Sequence, residues 1–308
     1  MLKNLFTLVI AFPVMFVAGL LTGCGGGGGG GGLKIDPAIT FVKWSDVTPP
    51  AEIDFEGLSS DGSYTAPAPF FTVTNITDAV VSAGAKATIT YGSGGSITSV
   101  AVETPVTTVI WKESDGHLID DSGAIVRISN VDGSNVALVS NALDPAVAWE
   151  YQTYGVWLTG LGKGTGNYGS ATFGVPTAGS AIPLMGTPTF SGSTVGSYVN
   201  PAGELFLTSS QVTIDADFLN RSLDFSTFAT QTLDPASFAA TPAPSLSMMG
   251  TLTYAPATNS FSGPVSATGL IGTSTGQFYG PAAEELGGVF SLTGAGVETY
   301  SGAYGAKR

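Results

Sequence analysis

One cysteine, Cys24, and one histidine, His117, are all that 308 residues contain of those two types. A lone thiol excludes any internal disulfide, so the fold stands on its core alone. A lone imidazole excludes a multi-histidine metal centre and forces any Ser/His/Asp arrangement through His117. That residue stands in Asp115-Gly116-His117, which reads as a solvated turn between strands. Cations are scarce as well: 10 Lys and Arg face 23 Asp and Glu, a net charge of −13. Such a chain repels phosphate backbones, which excludes a nucleic-acid partner and leaves basic protein surfaces or cations as the favoured ones. Charged residues make up only 11% of the chain, while 43 Gly and 18 Pro among many Ser and Thr leave little material for helices. What remains is a β-protein composition punctuated by turns.

There is one long apolar run, Leu5 to Leu21, preceded by a short polar segment around Lys3. That is the shape of a secretory signal peptide. About 17 apolar residues would nearly cross a bilayer, but Pro13 would kink a permanent anchor. The run ends in Leu21-Thr22-Gly23-Cys24, which resembles a bacterial lipobox: an aliphatic residue, two small ones, then the cysteine that is diacylated. Residues 1–23 are therefore expected to be a lipoprotein signal peptide, with Cys24 as the lipid (palmitate-type) attachment site. Gly25 to Gly32 follow as a flexible tether with a mean span of roughly 15 Å. Gly25 stands where an inner-membrane retention signal would carry Asp, so the outer membrane is the expected location. Loss of Lys3 with the signal peptide leaves 9 cationic against 23 anionic side chains, net −14.

The mature length suggests two domains. Strands are expected at Lys86–Tyr91, Ser99–Glu103, Thr107–Lys112, Ile125–Val131 and Ser134–Ser140, the last two around the Asp132-Gly133 hairpin signal. Asn141 to Pro145 breaks this pattern, placing a first domain at 33–146 and a second at 147–308. In the second, Val212, Ile214, Ala216 and Phe218 alternate with Thr213, Asp215 and Asp217. Leu223, Phe225, Met249, Leu252, Tyr254, Phe261 and Val265 continue the apolar series. Strands every 10 to 15 residues imply a closed antiparallel barrel, which removes exposed edges. The same alternation suits an outer-membrane barrel, but a spanning barrel needs no acyl tether, so the apolar face is expected inward.

Sites of chemistry are few. Asp115, Asp120 and Asp121 lack calcium-loop spacing, and Asn130-Val131-Asp132-Gly133 fails it because Ile128 occupies the first ligand position. These acids are read as solvated turn residues. Gly160-Leu161-Gly162-Lys163-Gly164-Thr165-Gly166 lacks the lysine-to-serine or lysine-to-threonine step of a phosphate loop and reads as a mobile loop on the barrel rim. Trp149, Tyr151, Tyr154 and Trp157 crowd one segment, with Trp149 and Tyr151 on one face and Tyr154 on the other. Core or inter-domain packing is the expected role, with some rings exposed. No cofactor, metal or catalytic set is expected, and the chain is read as a non-enzyme.

Two stretches carry a family resemblance. Phe173-Gly174-Val175-Pro176-Thr177 with Ile182-Pro183-Leu184-Met185-Gly186-Thr187-Pro188-Thr189-Phe190-Ser191-Gly192 looks like the opening hairpin of the β-barrel of transferrin-binding protein B and its relatives. The run from Gly276 through Tyr279-Gly280-Pro281, Glu284-Glu285-Leu286-Gly287-Gly288 to Phe290, with Gly302-Ala303-Tyr304-Gly305-Ala306-Lys307-Arg308, looks like the same family's last two strands. In purely physical terms, Gly280-Pro281 stops a strand, Ala282 to Leu286 makes one helical turn that caps the barrel, and Gly287-Gly288 lets the chain re-enter the sheet sharply. The resemblance implies an all-β chain: a handle-like domain at 33–146, then an eight-stranded barrel at 147–308, in one lobe instead of two. It further implies a surface lipoprotein of a Gram-negative outer membrane that binds a host or environmental macromolecule of the iron- or haem-carrier class through barrel-rim loops. A TonB-dependent transporter is the implied partner system, with a surface-assembly modulator for export. The other reading is a structural or adhesive envelope lipoprotein without a discrete ligand.

Overall fold

The computed structural model describes residues 39–40, 43–68 and 72–308. Cys24, the signal peptide and the glycine tether lie outside the described residues. The described residues belong to one compact unit.

Among the described residues no α-helix occurs, and the strands fall into two sheets. The first has eleven: β1 (Ile39–Thr40), β2 (Ala51–Ala66), β3 (Asn75–Ile76), β4 (Val80–Tyr91), β5 (Ile97–Glu103), β6 (Thr108–Lys112), β7 (Leu118–Asp120), β8 (Ile125–Ser129), β9 (Val136–Ser140), β10 (Gln152–Leu158) and β11 (Gly164–Gly174). The second has nine: β12 (Thr189–Val199), β13 (Leu205–Asp217), β14 (Ser222–Leu233), β15 (Ala240–Pro242), β16 (Met249–Tyr254), β17 (Ser260–Ala267), β18 (Leu270–Tyr279), β19 (Glu285–Thr293) and β20 (Thr299–Lys307).

The second sheet runs β13-β12-β20-β19-β18-β17-β16-β14, and β13 pairs with β14, so eight antiparallel strands close. β15 only extends β14. The alternation read from the sequence is realised: Val212, Ile214, Ala216 and Phe218 are buried inside, while Asp215 and Asp224 face out with Thr251 and Ser262. Interior width is met by placing rings over glycines. An added Cβ at Gly276 would lie 2.5 Å from the Phe261 ring, at Gly288 2.6 Å from Tyr304, and at Gly302 2.6 Å from Phe290. A small closed barrel has little spare radius, and these ring–glycine pairs fit within it. Met249, expected inside, is 68% exposed: β16 turns it to the outer face beside Ser226 of β14.

The first sheet runs β6-β5-β4-β2-β11-β10-β9-β8-β7 and is open, with β6 and β7 at its ends. It bends over itself so that Val100 and Trp111 approach Ala137, Val139 and Trp157 across one core. β10 and β11 hydrogen-bond within this sheet, through Gly155↔Val139 and Tyr168↔Gly62. β10 and β11, which follow the turn expected to part the domains at residue 146, therefore pair in the first sheet, and the stretch between β11 and β12 joins the two sheets. Asn141–Pro145 is a turn inside the first sheet, where Asn141 donates from Nδ2 to the Asp121 and Gly123 carbonyls. The expected opening hairpin is likewise that connecting stretch: β11 ends at Gly174, and the barrel begins with β12 at Thr189.

Candidate functional site: the interface between the two sheets and its open faces

The strands β10, β11 and β2 lay one face on β12, β20 and β19 of the barrel. Strand periodicity gives β19 and β20 two faces: Phe290 and Tyr304 turn inward, while Glu285, Gly287, Ala303 and Gly305 turn toward the first sheet. Small residues on that side let the sheets approach closely. A Cβ at Gly287 would come 2.3 Å from Gln152 Oε1, and one at Gly305 would come 2.6 Å from the Tyr154 ring. The Gly287-Gly288 pair is thus strand interior with both faces crowded, not a sharp re-entry. The expected capping helix at Ala282–Leu286 is an irregular turn, and β19 already begins at Glu285.

The contact is polar where it is deepest. Gln152 donates from Nε2 to the Leu286 carbonyl at 2.9 Å and the Ala306 carbonyl at 3.3 Å. The Tyr154 and Ser193 hydroxyls meet at 2.5 Å, and those of Thr172 and Tyr279 at 3.1 Å. Burial pushes the Tyr154 hydroxyl up to about 12, against the opposing effect of its Ser193 and Ser140 hydrogen bonds. Glu285 takes the Glu150 N–H at 2.6 Å on one carboxylate oxygen and the Tyr151 N–H at 3.1 Å on the other. Burial is the main influence on this group and raises it to about 7, although the two N–H donors and Lys307 favour the charged form. Lys307, paired with Glu285 across β19 and β20, donates to the Val147 and Ala148 carbonyls at 2.6 and 2.9 Å and lies over the Trp149 ring.

These groups were not singled out as an interface by sequence. Their one legible sign was a lone acid, Glu285, entering an otherwise small and apolar strand. The aromatic cluster was legible: Trp149, Tyr154 and Trp157 are all buried, with Trp149 and Tyr154 in edge contact, while Tyr151 is partly exposed. Trp149 precedes β10, so strand alternation does not govern which side it takes.

The other sequence candidates are dispersed. His117 sits in the turn after β6, where its Nδ1 accepts the Lys112 N–H at 2.9 Å. Asp120 accepts from Ser122, and Asp121 from the Ile97 N–H. Asp132 pairs with Lys163 at 2.9 Å, tying the β8–β9 turn to the β10–β11 turn. The Gly160–Gly166 stretch therefore belongs to the first sheet rather than to the barrel rim. Among the described residues no group of three or more His, Cys, Asp or Glu side chains is arranged to hold a metal ion.

Among the described residues, two of the exposed surfaces bear on function. One barrel rim is made by residues 200–204, 234–248, 268–269 and 294–298, which connect successive strands at one end. Its long loop reaches the first sheet through Phe238, whose ring lies under the Arg127 guanidinium at 5.6 Å. The second surface is a trough of about 590 Å³ on the outer face of β2, β4, β5 and β6, continuing into one of about 410 Å³ that ends at Gln277 of the barrel.

Comparison with known proteins bears on the barrel. Residues 182–308 match the family described as C-lobe and N-lobe beta barrels of Tf-binding protein B. No curated protein matches the sequence. Among solved structures, a transferrin binding protein B variant from Haemophilus parasuis is 17% identical, with a TM-score of 0.44 over 72% of this chain and 51% of that one. Transferrin binding protein B from Neisseria meningitidis is 18% identical, with a TM-score of 0.45 over 82% of this chain and 43% of that one. HpuA from Kingella denitrificans, solved in complex with human haemoglobin, is 12% identical, with a TM-score of 0.44 over 85% and 89%. The chain thus spans about half the length of the transferrin-binding relatives named here. The segment that matches the family of transferrin-binding protein B lobe barrels, residues 182–308, thus coincides with the closed eight-stranded sheet of this chain.

Proposed function

We propose that this chain is an outer-membrane lipoprotein, held through acylated Cys24 and displayed at the cell surface, that binds a host or environmental macromolecule of the iron- or haem-carrier class. The observation that carries this reading is the family match over residues 182–308. The rim at 200–204, 234–248, 268–269 and 294–298 is the assigned docking surface, since loops on a rigid scaffold are where recognition concentrates. The barrel interior is filled by its own rings, which leaves the rim and outer faces for contact with a partner. A TonB-dependent transporter is the partner expected to receive the cargo.

The test uses intact cells. Protease shaving should remove the mature chain, and Cys24→Ser should release it from the membrane fraction. Labelled transferrin and haemoglobin should each be offered to shaved and unshaved cells; saturable capture of one, lost on shaving, is the expected result. Capture of neither by cells that display the chain contradicts the reading.

A specific observation favours a second reading, a structural or adhesive lipoprotein whose barrel is a spacer. Three of the four rim loops have five residues or fewer, which leaves a narrow recognition surface. Deletion should then alter envelope integrity or attachment while iron-limited growth is unchanged.

A further inference from the structure

The first sheet ends in β6, and among the described residues no strand pairs with its free side. The Lys112 N–H points to His117 Nδ1, and the Lys112 carbonyl accepts the His117 N–H at 3.3 Å, so both Lys112 backbone groups face away from β5. By strand alternation the N–H and C=O groups of Thr108 and Ile110 face the same way. A continuing β6–β7 hairpin would bring Asp121 level with Thr108. Instead the Asp121 carboxylate accepts the Ile97 N–H at 2.7 Å, beyond the opposite end of β6, and β7 pairs only with β8. The β6 edge is open over Thr108 and Ile110, and Ile110 is 50% exposed.

This edge borders the larger trough. Glu56, Lys86 and Glu103 form one cross-strand row across β2, β4 and β5, continued by Thr108 of β6. Asp54 lies beside that row and accepts the Thr88 hydroxyl at 2.7 Å. Among the described residues neither Glu56 nor Glu103 is in an ion pair. The trough thus joins unpaired backbone donors and acceptors to an excess of carboxylates over its single ammonium.

We propose that β6 takes up an extended, cationic segment of a partner polypeptide as an added strand. Its backbone pairs with Thr108 and Ile110, and alternate basic side chains lie over the trough. Edge addition draws affinity from main-chain hydrogen bonds and specificity from the side chains that alternate along the strand. The short length of β6 and its Lys112 limit indiscriminate pairing, as edge strands commonly do. This surface is separate from the barrel rim, so it stands or falls independently of the carrier-binding reading.

The test is fluorescence anisotropy with the full lipidated chain in detergent and a labelled ten-residue peptide of alternating lysine and valine. Saturable binding is expected, at least tenfold tighter than to the matching glutamate–valine peptide. Ile110→Pro should weaken it at least tenfold, because it removes an edge N–H while leaving the pairing with β5. Backbone N-methylation of the peptide on alternate residues should do the same without altering the protein, and Glu103→Lys should weaken binding severalfold. Absence of saturable binding overturns the proposal, as does equal affinity for the glutamate peptide. Undiminished binding of the N-methylated peptide, or its full displacement by spermine at matched charge, shows attraction by charge alone and also overturns it.

Discussion

All four tryptophans lie in the core of the open first sheet, whereas the barrel is filled with phenylalanine and tyrosine rings set over glycines. Closure explains the difference. Eight strands that must pair around a ring fix the interior radius, so a large side chain fits only where its neighbour lacks a Cβ. An open sheet folds over by as much as its contents require, and it accommodates Trp44, Trp111, Trp149 and Trp157 together. The cost of that freedom is an end strand with unpaired backbone groups, which the eight closed strands of the barrel do not have.

The two regions nevertheless share a polar and close-packed interface, and the sharpest way to break the comparison is to damage only one. Phe225→Ala should destabilise the barrel by about 3–5 kcal/mol through cavity formation. Since every tryptophan sits in the other region, urea denaturation followed by tryptophan fluorescence reports whether they unfold together. The midpoint of that transition should fall; an unmoved midpoint would mean the sheets melt independently.

Next in size is the buried Glu285. Its carboxyl is held near 7 in the folded chain by burial, above its ordinary value near 4.5. A group raised in this way contributes its stability fully below about pH 4.5 and loses it as pH climbs through about 7. Relative to Glu285→Gln, the natural chain should therefore weaken by on the order of 3 kcal/mol between pH 4 and pH 8. Thermal melts of the two chains across that range check the sign; a gap that widens in the opposite direction would contradict the assignment of burial as the dominant cause.

Gly305→Val tests the interface itself. Its Cβ would meet the Tyr154 ring at 2.6 Å, so a loss of about 1–3 kcal/mol is expected from overpacking, with separate tryptophan and far-ultraviolet transitions as the sheets uncouple. At the small end, Lys163→Ala removes an ion pair to Asp132 whose two side chains are both more than half exposed. Water screens such a pair, and the melting midpoint should not move measurably.

How far the sequence alone revealed this architecture follows from where side-chain periodicity survives. Thr107–Lys112 and Val212–Phe218 alternate cleanly because one face meets core and the other water. The 16-residue β2 is not legible from periodicity because register shifts between Gly57 and Leu58, and because Ser59, Ser60 and Asp61 interrupt the apolar alternation. They are buried since both faces of that strand are covered, one by the first core and one by the barrel. For a related reason the sequence does not separate the turn at Asn141–Pro145 from the linker after Gly174: both contain turn residues, and only pairing partners distinguish them. The closing strands were legible as a family pattern, but the use of Gly287 and Gly305 as a docking surface needed the partner sheet in view.

The claim beneath all of this is that one sheet is closed and the other is not, and native-state amide hydrogen exchange measures that directly. Amides from Val212 to Asp217, which lie between β12 and β14, should be protected as strongly as those of β19, while Thr108 and Ile110 exchange nearly freely beside slow Val109 and Trp111. Rapid exchange throughout β13, or slow exchange at Thr108 and Ile110 in the isolated chain, would contradict it.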